Sequence, residues 1–221
     1  MTSAPAQAAD TRQRLLDAAQ RLFTERGFAK VTVRDITSEA QANLAAVSYH
    51  FGDKVGLYEE VLELGLRRAQ ELNAETMLDR DGHTPEECLR HYVRHYLPRV
   101  VRADSRGWIY RLLRHEMADP TPVARAYVRQ AIMPRIDFLM AVVRDLLGEA
   151  ATPDRVQRGV TSIQAQCLFY LPDPFKSMVL ADWQPRTDEE LRDTAEHITE
   201  FSLAGIRAIA NLRRGPRVRP R

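Results

Sequence analysis

The stretch whose reading decides the fold is Thr32 to Tyr58, TVRDITSEAQANLAAVSYHFGDKVGLY. Thr32 and Asp35 have the spacing of a capping box, in which a hydroxyl accepts from the third amide and a carboxylate reaches back. Val31 and Ile36 stand at the positions of a hydrophobic staple around it. The spacing predicts a short helix to about Ala40 that buries Val33, Ile36 and Ala40. After a tight turn, Asn43 is suited to cap a second helix, Leu44 to about Phe51. Leu44, Val47 and Phe51 recur at three- and four-residue spacing and are expected to face inward. Asp53 can cap a third helix that starts at Lys54. The pattern is a helix-turn-helix, a unit that can put its second helix into a DNA major groove.

The outer face of that second helix would carry Asn43, Ala45, Ala46, Ser48, Tyr49 and His50. Small residues let a helix backbone approach a groove closely. Asn43 and Ser48 can exchange hydrogen bonds with base edges, and Ala45 or Ala46 can touch a thymine methyl. Tyr49 and His50 suit phosphate contact, which sets register without reading sequence. Lys54 falls in a first helical turn, where its charge and the free amides both favour a phosphate. An ordinary solvated helix would also show a polar face with two alanines.

Working outward, almost everything reads as helix, so the fold class expected is all-α. A first helix from about Asp10 to Arg26 sets Leu15, Leu16, Ala19, Leu22 and Phe23 on one face. Gly27 suits the left-handed position that stops it, with Phe28 packing back on Phe23. A long helix is expected from Lys54 to about Asp79. Others fall near 84–103, 105–118, 121–148, 153–171 and 187–213, with Pro134 expected to kink or divide the 121–148 helix. Pro- and Gly-containing segments, such as Asp119-Pro120-Thr121-Pro122 and Pro172-Asp173-Pro174, separate them. The organisation expected is a disordered tail (1–9), a three-helix DNA-binding domain (10–54), a helical ligand-binding and dimerisation domain (55–212), and a basic tail (213–221). The Lys54 helix makes the two domains continuous.

The chain has 221 residues, 44% hydrophobic and 28% charged, with a net charge of only +2. Any nucleic-acid binding must therefore come from a local patch. Cys88 and Cys167 have no partner motif and sit in apolar helical patterns, which suits buried free thiols. MTSAPAQAAD lacks the basic and apolar regions of a signal peptide, and no stretch has the length of a membrane span. A cytoplasmic protein is expected.

LLDAAQRLFTERGF (15–28), TVRDITSEA (32–40) and VSYHFGDKVGLYEEVL (47–62) resemble the DNA-binding domain of the TetR family of transcriptional regulators. The resemblance covers Thr11 to about Val61. It implies an all-helical homodimer that binds a palindromic operator in double-stranded DNA, with a C-terminal body that dimerises and holds a small-molecule effector. By position it puts Thr32, Asn43, Ala45, Ala46, Ser48, Tyr49, His50 and Lys54 near DNA, with Tyr49 and Lys54 as phosphate contacts. One departure stands out: Gln41 occupies a turn position where the family usually has Gly. If that position needs positive φ, Gln costs about 1 kcal/mol there. LLRHEMADPTP (112–122) and SIQAQCLFYL (162–171) resemble the effector domain of the CecR-like branch, associated with antibiotic or xenobiotic sensing.

Since the family dimerises through its last two long helices, Val160, Ile163, Leu168, Ile198, Phe201 and Ile206 are the expected interface, unless those stripes are internal core. Trp108, Tyr110, Arg111, Met117, Phe138, Met140, Gln164, Cys167 and Tyr170 are a mixed aromatic, Met and polar set of the kind that lines a ligand pocket. At helical spacing each also suits plain core. Arg111 or Arg114 could pair with an anionic group on a ligand. His91 and His95 share a helix face but have no evident third ligand, so no metal or cofactor is expected. His115 and Glu116 are adjacent and should diverge, as a surface or salt-bridged pair. The expectation is a ligand-responsive regulator, most simply a repressor. Its rivals are a protein-interaction module that has lost DNA binding and, with no catalytic constellation in view, a helical enzyme.

Overall fold

The computed structural model describes residues 4–102, 108–172, 174–180 and 183–212, with only the backbone at 4–7, 110, 174, 175 and 177. The basic segment 213–221 lies outside the described residues. Among them the regular structure is entirely helical: α1 (Ala4–Arg26), α2 (Val33–Glu39), α3 (Ala45–Phe51), α4 (Lys54–Thr76), α5 (Pro85–Val101), α6 (Trp108–Ala118), α7 (Ala124–Leu147), α8 (Pro153–Phe169), α9 (Pro174–Val179) and α10 (Asp188–Asn211). A 3₁₀ turn at Gly148–Ala150 follows α7.

Several features differ from the sequence expectation. Helix α1 begins at Ala4 rather than Asp10, because Ala-rich sequence favours helix and a proline is tolerated in a first turn. Pro134 does not divide α7, which runs unbroken from Ala124 to Leu147. Pro134 is exposed, so the carbonyl it leaves without a partner can face water. Helix α9 lies in a segment expected to be a break.

The chain forms two compact units. One takes the residues up to Leu72 with the segment ending at Met133; the other takes Asn73 to the end of α5 and Pro134 onward. The expected domain boundary at 54/55 falls inside the first unit. Helices α4 and α7 each run through a boundary between units.

In the first unit α1 packs on α2, α3 and α6. Leu15, Ala18, Ala19, Leu22 and Phe23 of α1 are buried with Val31, Ile36, Val47, Leu57, Tyr58 and Val61. A fully buried side chain of the size of Leu or Phe stabilises by roughly 1.5–3 kcal/mol. Gly27 stops α1 at φ +80, its amide donating to the Phe23 carbonyl at 2.9 Å. Phe28 then packs on Phe23, ring centroids 5.8 Å apart, and Tyr58 lies 4.8 Å from both rings. Helix α6 reaches this core directly. His115 Nε2 is 3.2 Å from the Thr24 carbonyl oxygen, and Ile109 lies so close to Gly65 that a Cβ there would meet it at 2.6 Å.

In the second unit α5, α8 and α10 pack on one another. Their core is Leu89, Tyr92, Val93, Tyr96 and Leu97 with Val160, Ile163, Cys167, Ile198, Leu203 and Ile206. Thr84 with Glu87, and Thr187 with Glu190, form complete capping boxes at the starts of α5 and α10. Arg90 bridges Glu196 and Glu200, tying α5 to α10.

Candidate nucleic-acid interface

The helix-turn-helix is held by the contacts its sequence spacing implies. The Thr32 hydroxyl accepts from the Asp35 amide at 3.2 Å, and the Asp35 carboxylate accepts from the Thr32 amide at 2.8 Å. These bonds from Thr32 hold the Asp35 carboxyl below its ordinary range. Val31 and Ile36 are fully buried around the box. Arg14 closes the other end of α2, donating to the Ala40 carbonyl at 2.9 Å.

Gln41 adopts φ +51 and is the one non-glycine residue at positive φ among the described residues. The turn keeps its left-handed residue even though glycine is missing. The Ala42 amide donates across it to the Thr37 carbonyl at 2.9 Å.

Helix α3 begins at Ala45, not Leu44. Asn43 still serves its start, Oδ1 accepting from the Ala45 amide at 3.0 Å. Leu44, expected to face inward, is half exposed: its backbone is helical at φ −54 and ψ −38, but it stands at the very start of the helix, where its side chain stays open to solvent. Val47 anchors the helix, 1% exposed. Phe51 is half-buried beneath the Arg12 guanidinium, 5.0 Å from its ring, and Arg12 also binds Glu60 at 2.5 and 2.6 Å. Together Val47 and Phe51 fix which way the rest of α3 points.

That face presents Asn43, Ala45, Ser48 and Tyr49 to solvent, with Ala46 and His50 half exposed. Tyr49, 80% exposed, projects furthest, its ring edge-on to His50 at 4.8 Å. Thr32 is exposed at the start of α2. Lys54 opens α4, where Asp53 Oδ1 accepts from the Gly56 amide at 2.9 Å. Its ammonium sits over the Phe28 ring, 4.1 Å from the centroid, and partial burial lowers its pKa. Lys30 and Arg34, which the sequence reading passed over, are exposed on either side of Thr32. They precede or open α2 and so fall outside the α3 pattern.

Among the described residues, the expected ligand-lining residues do not line one cavity. Of that set, Met117 alone lines the large cavity of the first unit, which has a volume of about 770 Å³. Its walls are the end of α6, the Pro120–Pro122 turn, and Arg125, Val128, Arg129, Ile132 and Met133 of α7. These α7 positions follow helical spacing and could have been found as one stripe. Trp108 is buried against Gly65 instead. Arg111 is half-buried, with its Nε buried and without an acceptor among the described residues. In the second unit Gln164 is buried and donates to the hydroxyl of Tyr92, whose ring stacks on that of Phe138 with centroids 6.3 Å apart. Cys167 is fully buried, which pushes its thiol up to about 12. Met140 lines a separate cavity of about 470 Å³, and Tyr170 is half-buried beside Phe169. The Tyr110 side chain lies outside the described residues.

His115 and Glu116 diverge as expected, but not as a surface pair. Glu116 is buried and accepts from the Tyr58 hydroxyl, because the core of α1 and α4 closes over that side of α6. Of the expected dimer residues, Val160, Ile163, Ile198 and Ile206 are already buried within the chain and have no surface left for a partner. Leu168 and Phe201, 39% and 64% exposed, do. His91 and His95 stack at 3.9 Å, with His91 Nε2 3.1 Å from the Glu75 carbonyl oxygen.

An anchored, capped three-helix unit with an exposed second helix defines a helix-turn-helix DNA-binding protein. Residues 15–61 match the family described as bacterial regulatory proteins, tetR family. Residues 85–206 match the HTH-type transcriptional dual regulator CecR, C-terminal domain. The chain belongs to the TetR family of transcriptional regulators, with a C-terminal domain of the CecR type.

It is 31% identical over 110 residues to the HTH-type transcriptional regulator AcrR of Shigella flexneri, covering 50% of this chain and 51% of AcrR. It is 31% identical over 84 residues to TtgR of Pseudomonas putida, covering 38% and 40%. The chain thus spans about half the length of these curated relatives or less. Among solved structures, the hemolysin II transcriptional regulator HlyIIR aligns with a TM-score of 0.61 at 21% identity, covering 88% of this chain and 97% of that one. AibR, solved with isovaleryl coenzyme A and operator DNA, aligns at 0.60 and 22%, covering 86% and 97%. Among the described residues no helix is long and apolar enough to cross a membrane.

Proposed function

We propose that this chain is a ligand-responsive transcriptional repressor that binds a palindromic operator as a homodimer and leaves it when a small-molecule inducer binds. The observation that carries the reading is the α3 face. Val47 and Phe51 anchor one side, and Asn43, Ala45, Ser48 and Tyr49 stand free on the other. Ala45, Ala46 and the polar pair Asn43 and Ser48 read base edges, while Thr32, Tyr49, His50 and Lys54 hold phosphates. In a dimer the two copies of α3 enter successive major grooves about 34–36 Å apart.

Residues 10–54 are the DNA-binding domain and 55–212 the effector and dimerisation domain in this reading. Exposed Leu168, Phe169 and Phe201 supply apolar surface for the dimer. An effector is supported by the cavity of the first unit and by AibR, a fold neighbour solved with both a coenzyme A thioester and operator DNA. Helix α4 runs from Lys54 through the unit boundary, so a change along it reaches the DNA face. By linkage, operator DNA lowers inducer affinity by the factor that inducer lowers DNA affinity.

The experiment is selection of bound sites from random duplex DNA by the purified protein, followed by binding to the DNA upstream of its own gene. Enrichment of a two-fold-symmetric site supports the reading. Retention of no sequence over the starting pool contradicts it.

A further inference from the structure

We propose that the α6–α7 cavity of the first unit takes an amphipathic organic anion as effector, and that the hydrogen bond between Glu116 and Tyr58 reports its occupancy to Lys54. The proposal names the effector class and the signal path of the repressor reading and rests on it for the biological response.

The charge of the cavity decides the ligand class. Glu116, the acidic residue in its wall, is buried and fully engaged. It accepts from the Tyr58 hydroxyl, from the Thr121 amide at 2.8 Å and from the Thr121 hydroxyl at 3.1 Å. A cationic ligand would have to strip those bonds from a buried carboxylate. Arg125 and Arg129, one helical turn apart on α7, line the same cavity, are exposed, and make no ion pair among the described residues. Two free guanidinium groups on one helix face suit a carboxylate, sulfonate or phosphate. The remaining wall is Val128, Ile132, Met117 and Met133, an apolar surface in which the methionines adapt to varied shapes. A volume of about 770 Å³ lies within the range of small-molecule sites.

The path to the DNA face is continuous within this unit. Tyr58 is fully buried, packs on Phe23 and Phe28, and gives its only hydroxyl proton to Glu116. Phe28 carries the Lys54 ammonium on its ring. Lys54 and Tyr58 lie one turn apart on α4. An occupant that presses on the Glu116–Thr121 turn moves the acceptor of Tyr58. Tyr58 cannot shift without disturbing the ring on which Lys54 rests.

The test uses the full chain and three probes of one chain length, decanoate, decanol and decylammonium, below their micelle concentrations and without DNA. Calorimetry should show decanoate binding about tenfold or more tighter than the other two. Arg125→Gln with Arg129→Gln should remove that preference and leave decanol binding unchanged. Equal affinity for the three probes, or a double variant that binds decanoate like wild type, would overturn the ligand class. For the path, Tyr58→Phe and Tyr58→Met, which remove the hydroxyl without altering the cavity wall, should bind decanoate like wild type while DNA affinity stops responding to it. A full DNA response in whichever variant folds would overturn the path. The binding arm contains no DNA, so loss of the repressor reading and loss of the anion site give different results.

Discussion

Gly56→Ala tests how the recognition helix is joined to α4. A methyl group at Gly56 would lie 2.2 Å from the Phe51 carbonyl oxygen, and real Cβ contacts essentially never fall below 3.0 Å. The obstructing atom is backbone, at the end of α3, so no rotamer change relieves it. The Asp53 carboxylate holds the Gly56 amide at 2.9 Å on the other side. Opening this junction should cost about 3 kcal/mol, the upper end of overpacking penalties, because a helix end must move. In a chain of this size 1 kcal/mol shifts Tm by roughly 2–4 °C, so the first unit should melt roughly 6–12 °C lower. Moving α3 away from Lys54 should also weaken DNA binding more than the stability loss explains at low temperature. Gly52→Ala is the control. Gly52 has open space around it but sits at φ +79 and ψ −63, so alanine there meets strain of about 1–3 kcal/mol and no clash. Calorimetry with a DNA-binding titration reads both effects. A Gly56→Ala protein that melts within roughly 1 °C of wild type would refute the steric argument.

Gln41→Gly should raise stability by about 1 kcal/mol, since φ +51 strains glutamine but not glycine; unchanged denaturant midpoints would count against this. The caps at Asp35, Glu87 and Glu190 should shape the acid limb of stability. Their bonds to Thr32, to Thr84, and to Arg186 and Thr187 hold the folded pKa values below 3.8 for Asp35 and 4.5 for the glutamates. Their contribution is therefore complete above those values and lost as pH falls through the lower folded ones. A variant with Asp35→Asn, Glu87→Gln and Glu190→Gln should lose less Tm than wild type between about pH 5 and pH 3; parallel curves would contradict it. Phe201→Glu places a charge in the proposed dimer face at a side chain 64% exposed in the single chain. It should yield folded monomer by sedimentation, and an unchanged dimer would remove Phe201 from the interface.

The helix-turn-helix was legible because each of its signals is local. Thr32 with Asp35, Asn43, Asp53 and Gly27 act within a few residues of themselves, and all take the roles their spacing implies. Leu44 misled because it keeps the helical backbone of α3 but lies at its very start, where spacing alone does not decide burial. The body was less legible because apolar helical spacing is the same for core, cavity and interface. Ile198 and Phe201 stand three apart on α10, yet the first is buried in the chain and the second is exposed. The Tyr58–Glu116 bond joins residues on α4 and α6 that are far apart in sequence, and no local pattern signals it.

The most direct test of the central claim is the salt dependence of binding to the selected DNA site, measured for wild type and Lys54→Gln. The account predicts that log affinity falls linearly with log salt, and that Lys54→Gln weakens binding across all sequences and lowers the slope by about one for each subunit bound. Affinity that is independent of salt, or a slope unchanged by Lys54→Gln, would contradict the assignment of the α3 face and the start of α4 as the DNA-binding surface.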